Sequence, residues 1–239
     1  AGIAAANGVE CATLAGLGFT STDDGLMGPQ GFVGAHLPGS GESTRPDLTF
    51  DSYKFPDNKY KLHACCHGLH AMIEALQTSE VAAGISLDDI SAFSLWTNPR
   101  WLAVCDIKRP RTGLEVKFSY NWLAGMTLRG DDTGDDRLFT DSIAGDSELG
   151  RFAERISVKG DDELTDLQAR GEISFTDGRV IPVWFDLADR LAPELLAEKL
   201  QRKSSTIIGK ASAAIWDLHP RLGQLGARDI AKALLVAHI

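Results

Sequence analysis

The chain of 239 residues has 24 Lys and Arg against 33 Asp and Glu, a formal charge of −9, and 44% hydrophobic residues, enough for one large or two small domains with a real core. With an acidic balance and no basic run, nucleic acid and anionic membrane surfaces are poor partners, and any acidic ligand requires the few cations to be gathered locally. No apolar run approaches a membrane span, Ala1 to Ala6 lacks the features of a signal peptide, and Cys11, Cys65, Cys66 and Cys105 give no disulfide framework, so a cytoplasmic protein with reduced thiols is expected.

Residues 3–18 are rich in Ala and Gly, with Ile3, Val9, Leu14 and Leu17 as the larger apolar groups, and predict a helix ending near Gly16 or Gly18. Residues 20–47 carry Gly25, Gly28, Gly31, Gly34, Gly39 and Gly41 with Pro29, Pro38 and Pro46. They read as a long loop, and the glycines do not form a phosphate-binding pattern after a strand.

The densest run of reactive side chains is Lys61 to Leu76, with His63, His67, His70, Cys65, Cys66 and Lys61. From His67 the spacing predicts a helix, because Leu69, Met72, Ile73 and Leu76 make one apolar stripe with His67, His70 and Glu74 opposite. Lys61 then sits on an extended approach just upstream of the helix N-terminus. Free N–H groups, the helix dipole and the ammonium together suit a carboxylate or phosphate. Cys65, Cys66, His67 and His70 are metal-ligand types, but adjacent cysteines cannot easily hold one ion and no second cluster completes a tetrahedron, so no metal is expected.

In Lys61, Cys66 and His70 a lysine is followed five residues later by Cys and nine residues later by His. This string resembles the signature of the MmgE/PrpD family, which includes 2-methylcitrate dehydratase, iminodisuccinate epimerase and cis-aconitate decarboxylase. Ala5-Ala6-Asn7-Gly8-Val9, Gly18-Phe19-Thr20 and Gly31-Phe32 resemble an internal family segment. The resemblance thus implies the C-terminal part of a family member: a fragment, a chain completed by a second polypeptide, or a shortened relative. The Gly-rich loop is implied to lie near the site, with Met27 where many members have a glutamate.

Further on, Ile90 to Trp96 alternates like a strand stopped by Pro99, and Glu115 to Leu128 reads as one helix. The family's Phe-Ser pair is present as Phe118-Ser119. Where decarboxylase-like members place a catalytic tyrosine, this chain has Trp122, with Tyr120 two residues earlier. An indole cannot shuttle a proton as a phenol does, which weighs against decarboxylation. Asp131 to Asp136 reads as a solvated turn. A short helix over 149–155, a strand over 156–159, a hairpin over 169–185 turning at Asp177-Gly178, and helices from Pro193 to about Arg202 and from Asp229 to Val236 complete the chain.

The expected fold is α+β: the remainder of an all-helical domain (1–57), a small antiparallel-sheet lid domain with helices on one face (58–187), and helices returning to the helical domain (188–239). The resemblance implies a metal-independent lyase or isomerase without cofactor, a dehydratase before the others, removing a proton next to a carboxylate of a small di- or tricarboxylate. Lys61, Cys66, His67 and His70 are the candidate catalytic residues, the last three unranked as acid, base or positioning group. Lys61, Cys65 and Trp122 are the candidate substrate contacts. A homodimer is implied, with room for a second chain supplying the N-terminal helical part. The rival reading is a non-catalytic fragment or subunit that needs such a partner.

Overall fold

The computed structural model describes residues 2–28, 31–36, 58–81 and 84–236. The chain divides into two compact units, Ala1–Asn58 and Lys59–Ile239.

In the first unit, α1 spans Gly2–Gly16 and has no buried residue. The predicted helix is there, and Ile3, Val9 and Leu17 are exposed along it and just past its end. The predicted loop is partly ordered into turns. The Met27 N–H donates to Asp24 Oδ1 at 2.8 Å, and Phe32 and Val33 bond back to Gly25 and Leu26. A short helix, α2 (Phe32–His36), follows. Pro29, Pro38, Gly39, Gly41 and Pro46 lie outside the described residues.

The second unit is α+β. A 3-10 turn over His67–Leu69 leads into α3 (His70–Thr78), then β1 (Ile90–Thr97) and α4 (Pro99–Cys105). Helices α5 (Gly113–Val116), α6 (Tyr120–Arg129), α7 (Asp141–Ala144) and α8 (Ser147–Ala153) precede β2 (Ile156–Gly160). Strands β3 (Gln168–Phe175) and β4 (Val180–Asp186) form the predicted hairpin, with Gly178 at φ 90° supplying the left-handed turn position. Helices α9 (Pro193–Ile208), α10 (Ala211–Trp216) and α11 (Ala227–Val236) close the described chain.

The sheet order is β2-β1-β3-β4. Strands β1–β3 and β3–β4 pair antiparallel, but β1 and β2 run parallel, so the sheet is mixed, not antiparallel. The reason is the connection: α4 to α8 lie between the two strands, enough chain for a crossover. One face is the core, with Phe93, Leu95, Ala169, Ile173 and Val183 inward against α3 and α6. A register shift between Ile90 and Ala92 brings Ile90 to the same side. On the other face Arg170 lies over the Trp96 ring, 5.0 Å from its centroid.

The single helix expected over 115–128 is two. The helix breaks at Lys117 to Ser119, where Ile107 and Asp106 pair with Phe118 and Ser119, and the Ser119 hydroxyl caps α6 by accepting the Trp122 N–H. Tyr120 to Leu128 are all buried, making α6 the central helix. Between the two expected last helices the chain is helical as well, through α10 and a 3-10 segment over His219–Gln224. Helix α9 runs past Arg202 to Ile208, with Pro193 in its first turn as expected.

Candidate functional site

Residues 58–66 are irregular, and the Ala64 and Cys66 N–H groups bond to the Thr133 and Lys117 carbonyls. These bonds lay the Lys61 to Cys66 segment against the turn before α6 and the turn after it. At Gly68 a Cβ would lie 2.5 Å from the Trp101 ring, so only glycine lets the indole cover the 3-10 turn this closely. Trp101 is fixed by its Nε1–H to the Asp166 carbonyl at 2.8 Å. From the other side the Tyr120 hydroxyl donates to the Gly68 carbonyl at 2.9 Å while the Thr97 hydroxyl donates to Tyr120 at 3.1 Å. Burial pushes the Tyr120 ionisation well above its ordinary range. Tyr120 is therefore a neutral clamp on the histidine turn.

Helix α3 departs from the amphipathic helix expected of it. The stripe Leu69, Met72, Ile73 and Leu76 is buried, but so are His70 and Glu74 opposite it, at 1% and 2% exposure. A buried carboxylate must be paired, and this one is paired twice. His63 Nε2 meets Glu74 Oε1 at 3.1 Å and Lys199 Nζ, from α9, meets Glu74 Oε2 at 2.5 Å. An ionised carboxylate only accepts, so the His63 Nε2 carries a proton and donates it to Glu74, while Nδ1 is hydrogen-bonded to the Thr133 hydroxyl at 2.7 Å. Burial acts to raise the Glu74 pKa, yet the bonds from His63 and Lys199 outweigh it and bring it down to about 2. Thr133, in the middle of the acidic run expected to be a solvated turn, is 1% exposed and part of this relay.

His70 sits between two imidazoles, its ring centroid 4.9 Å from that of His63 and 4.9 Å from that of His67. Among the described residues, its Nε2 and the Nδ1 of His67 are buried with no hydrogen-bond partner. Burial, then the neighbouring His63, His67, Lys61 and Lys203, push the His70 pKa down to about 2, so the ring is neutral. His67 is shifted down too, first by burial and then by Lys61, with Asp166 opposing.

Of the other candidates, Lys61 is exposed, and close enough to act on the charge of His67, His70 and Cys65. Cys66 is half-buried and lies near Cys105, whose own thiol is pushed well up, first by burial and then by Cys66. Cys65 is a core residue at 3% exposure, its thiol pushed up to about 12 by burial despite the opposing charge of Lys61. Trp122 is buried, its Nε1–H donates to the Ile143 carbonyl at 3.0 Å, and it borders a separate hollow with Arg109 and Arg151. The fold thus gathers Lys61, Cys66, His67 and His70 in one region, and commits the indole N–H of Trp122 elsewhere.

Sequence reasoning gave His63, within the reactive run, no role and missed Thr133, Lys199 and Lys203 as members of this region. The Lys203 Nζ donates to the Lys61 carbonyl, and a hollow is lined by His63, Glu74, Asp132, Lys199, Arg202 and Lys203 among others. The signal available was the i, i+4 spacing of Lys199 and Lys203, which puts both on one side of α9. Among the described residues no group of three or more His, Cys, Asp or Glu is arranged to hold a metal ion, and no helix is long and apolar enough to cross a membrane.

An α+β domain that collects neutral imidazoles, a thiol and ammonium groups at one corner is equipped to bind a small anion and move a proton. The family model of the MmgE/PrpD C-terminal domain matches residues 63–218. The chain belongs to the MmgE/PrpD family, as the Lys61, Cys66 and His70 spacing led one to expect. A comparison with curated proteins finds no match.

Proposed function

We propose that the chain forms the lid-side half of a metal-independent lyase or isomerase, a dehydratase before an epimerase, acting on a small di- or tricarboxylate as a cytoplasmic homodimer. The observation that supports this most is His70 Nε2, buried in a ring held neutral and, like the Nδ1 of the neighbouring His67, without a partner among the described residues, with the charge of Lys61 acting on both. A proton next to a carboxylate is weakly acidic, so its removal needs a base shielded from water and a fixed cation for the charge that develops. His67 supplies the base, the neutral His70 beside it a hydrogen-bonding group that positions the ligand, Cys66 the acid that meets the leaving group, and Lys61 the cation.

The test is an assay of the purified protein on 2-methylcitrate, citrate and cis-aconitate in deuterated water, with mass detection of products and of label at the carbon next to the carboxylate. Turnover or exchange that survives exhaustive chelation, and is lost in Lys61→Ala, is expected. Absence of both on every acid overturns the reading. A second reading, a subunit that needs a helical partner to act, is favoured by α1, whose residues are all exposed. Turnover by the 239-residue chain alone rules that second reading out.

A further inference from the structure

The hollow beside the histidine cluster carries more positive charge than it neutralises. Glu74 is matched by Lys199, and Asp132 Oδ1 accepts the Gly134 N–H. Arg202 and Lys203 line the same hollow, and among the described residues neither has a carboxylate within ion-pair distance, nor does Lys61. Asp136 faces Lys203 from further off. In a chain of net charge −9, Arg202 and Lys203 in the hollow, with Lys61 bonded to Lys203 through its carbonyl, are offset only by Asp132 and the more distant Asp136, a local excess of positive charge that an added anion would relieve.

The cations are also held together. Lys203 spends one of its three N–H donors on the carbonyl of Lys61, which ties the two lysines into one cluster and leaves the other donors free. Lys199, one helical turn earlier, is anchored on Glu74, so α9 cannot slide without breaking a buried pair. His70, 1% exposed and with its ring 4.9 Å from that of His63 in the lining, has a buried Nε2 with no partner among the described residues.

We propose that α9 is a working part of the site: Lys203, with Arg202 beside it, binds a second carboxylate of the ligand while Lys61 binds the first. This rests on the reading of the cluster as a polycarboxylate site and adds that the ligand must carry two carboxylates spaced to meet both lysines. Monocarboxylates are rejected because they leave one cation unmatched. The Lys203 ammonium is shifted below its ordinary pKa, first by burial and then by the Lys61 charge, as two cations awaiting a shared anion should be.

The test uses tricarballylate, an unreactive tricarboxylate, and butyrate as the monocarboxylate, titrated calorimetrically into the protein. Wild type should bind tricarballylate and not butyrate. Lys203→Met should weaken binding by about tenfold or more, and Lys203→Arg should restore most of it. Should Lys203→Met not fold, acetic anhydride labelling of the wild type decides: tricarballylate should protect Lys203 and Lys61 and leave Lys210 reactive. Binding that is lost in Lys61→Met but unchanged in Lys203→Met, or labelling of Lys203 that the ligand does not slow, overturns the role of α9 and leaves the Lys61 reading standing. A wild type that binds no tricarballylate overturns both.

Discussion

Helix α3 has seven of its nine residues buried, His70 to Leu76, whereas none of the sixteen residues of α9 is buried. Both carry ionisable groups on the side that meets the other, and the two environments set different terms for them. Inside α3 a carboxylate persists only because His63 and Lys199 are fixed against it, and an imidazole persists only as the neutral form. On α9 a charge is free to stay in water, so the lysines that leave water to reach Glu74 and Lys61 are the informative ones.

The sharpest way to break that contrast is to remove the carboxylate that joins the two helices. Glu74→Ala leaves the His63 N–H and the Lys199 ammonium without their acceptor, and the loss of one partner from a buried pair costs about 3–5 kcal/mol. Urea denaturation should show that loss. Lys199→Met should cost about 1–2 kcal/mol, because the open side of the hollow lets water take the place of the ammonium. Equal losses would mean that α9 is as much a part of the core as α3.

Acid should expose the second difference. Above its ordinary pKa of 6.5 His70 is neutral folded or unfolded, and contributes no pH dependence. Below that value the unfolded chain takes up a proton that the folded ring refuses until about pH 2, so stability falls with falling pH by up to about 1.4 kcal/mol per unit for one proton. Glu74 acts in the same direction only lower down: its stabilisation is complete above about 4.5 and is lost as pH falls towards about 2. Between pH 6.5 and 4.5 the fall therefore belongs to the histidines. His70→Gln should flatten it by about one proton, the remainder coming from His67, in unfolding curves taken across that range. An unchanged slope would remove His70 from the buried, neutral role.

The sequence made α3, β1 and the β3–β4 hairpin readable because each has a strong local period or turn signal: the Leu69, Met72, Ile73, Leu76 stripe, the alternation from Ile90, and Asp177-Gly178. It also carried the family, in the spacing of Lys61, Cys66 and His70. Three features were not local and were not readable. That β2 joins β1 in parallel depends on the crossover through α4 to α8. The break before α6 depends on the pairing of Ile107 with Phe118 across the turn. The burial of Glu74 depends on Lys199, 125 residues away in the chain, so a helical wheel places the carboxylate on a polar face without revealing what covers it. His63, though named in the reactive run, received no role for the same reason, since its partner Thr133 lies in a stretch whose composition reads as solvated.

The turn that delivers His67 and His70 gives a smaller effect. Gly68→Ala places a methyl 2.5 Å from the Trp101 ring, which is held by its bond to Asp166 and cannot easily yield. Overpacking of this kind costs about 1–3 kcal/mol. Thermal unfolding should register it. A smaller Trp101→Leu penalty in the Gly68→Ala background than in wild type would confirm that the two groups meet.

The smallest effect is the control for the largest. Glu198 lies on α9, next to Lys199 in sequence, exposed and without an ion pair among the described residues. Glu198→Ala is the same chemical change as Glu74→Ala in the same kind of secondary structure, so propensity and lost side-chain volume are matched between them. Surface changes away from caps and pairs fall within about 0.5 kcal/mol of wild type, and alanine favours the helix slightly. Urea denaturation of Glu198→Ala should therefore superimpose on wild type while Glu74→Ala is shifted strongly. A large loss at Glu198 would place that face of α9 in contact with something that buries it, and the contrast between a helix that must pair its charges and one that need not would fall.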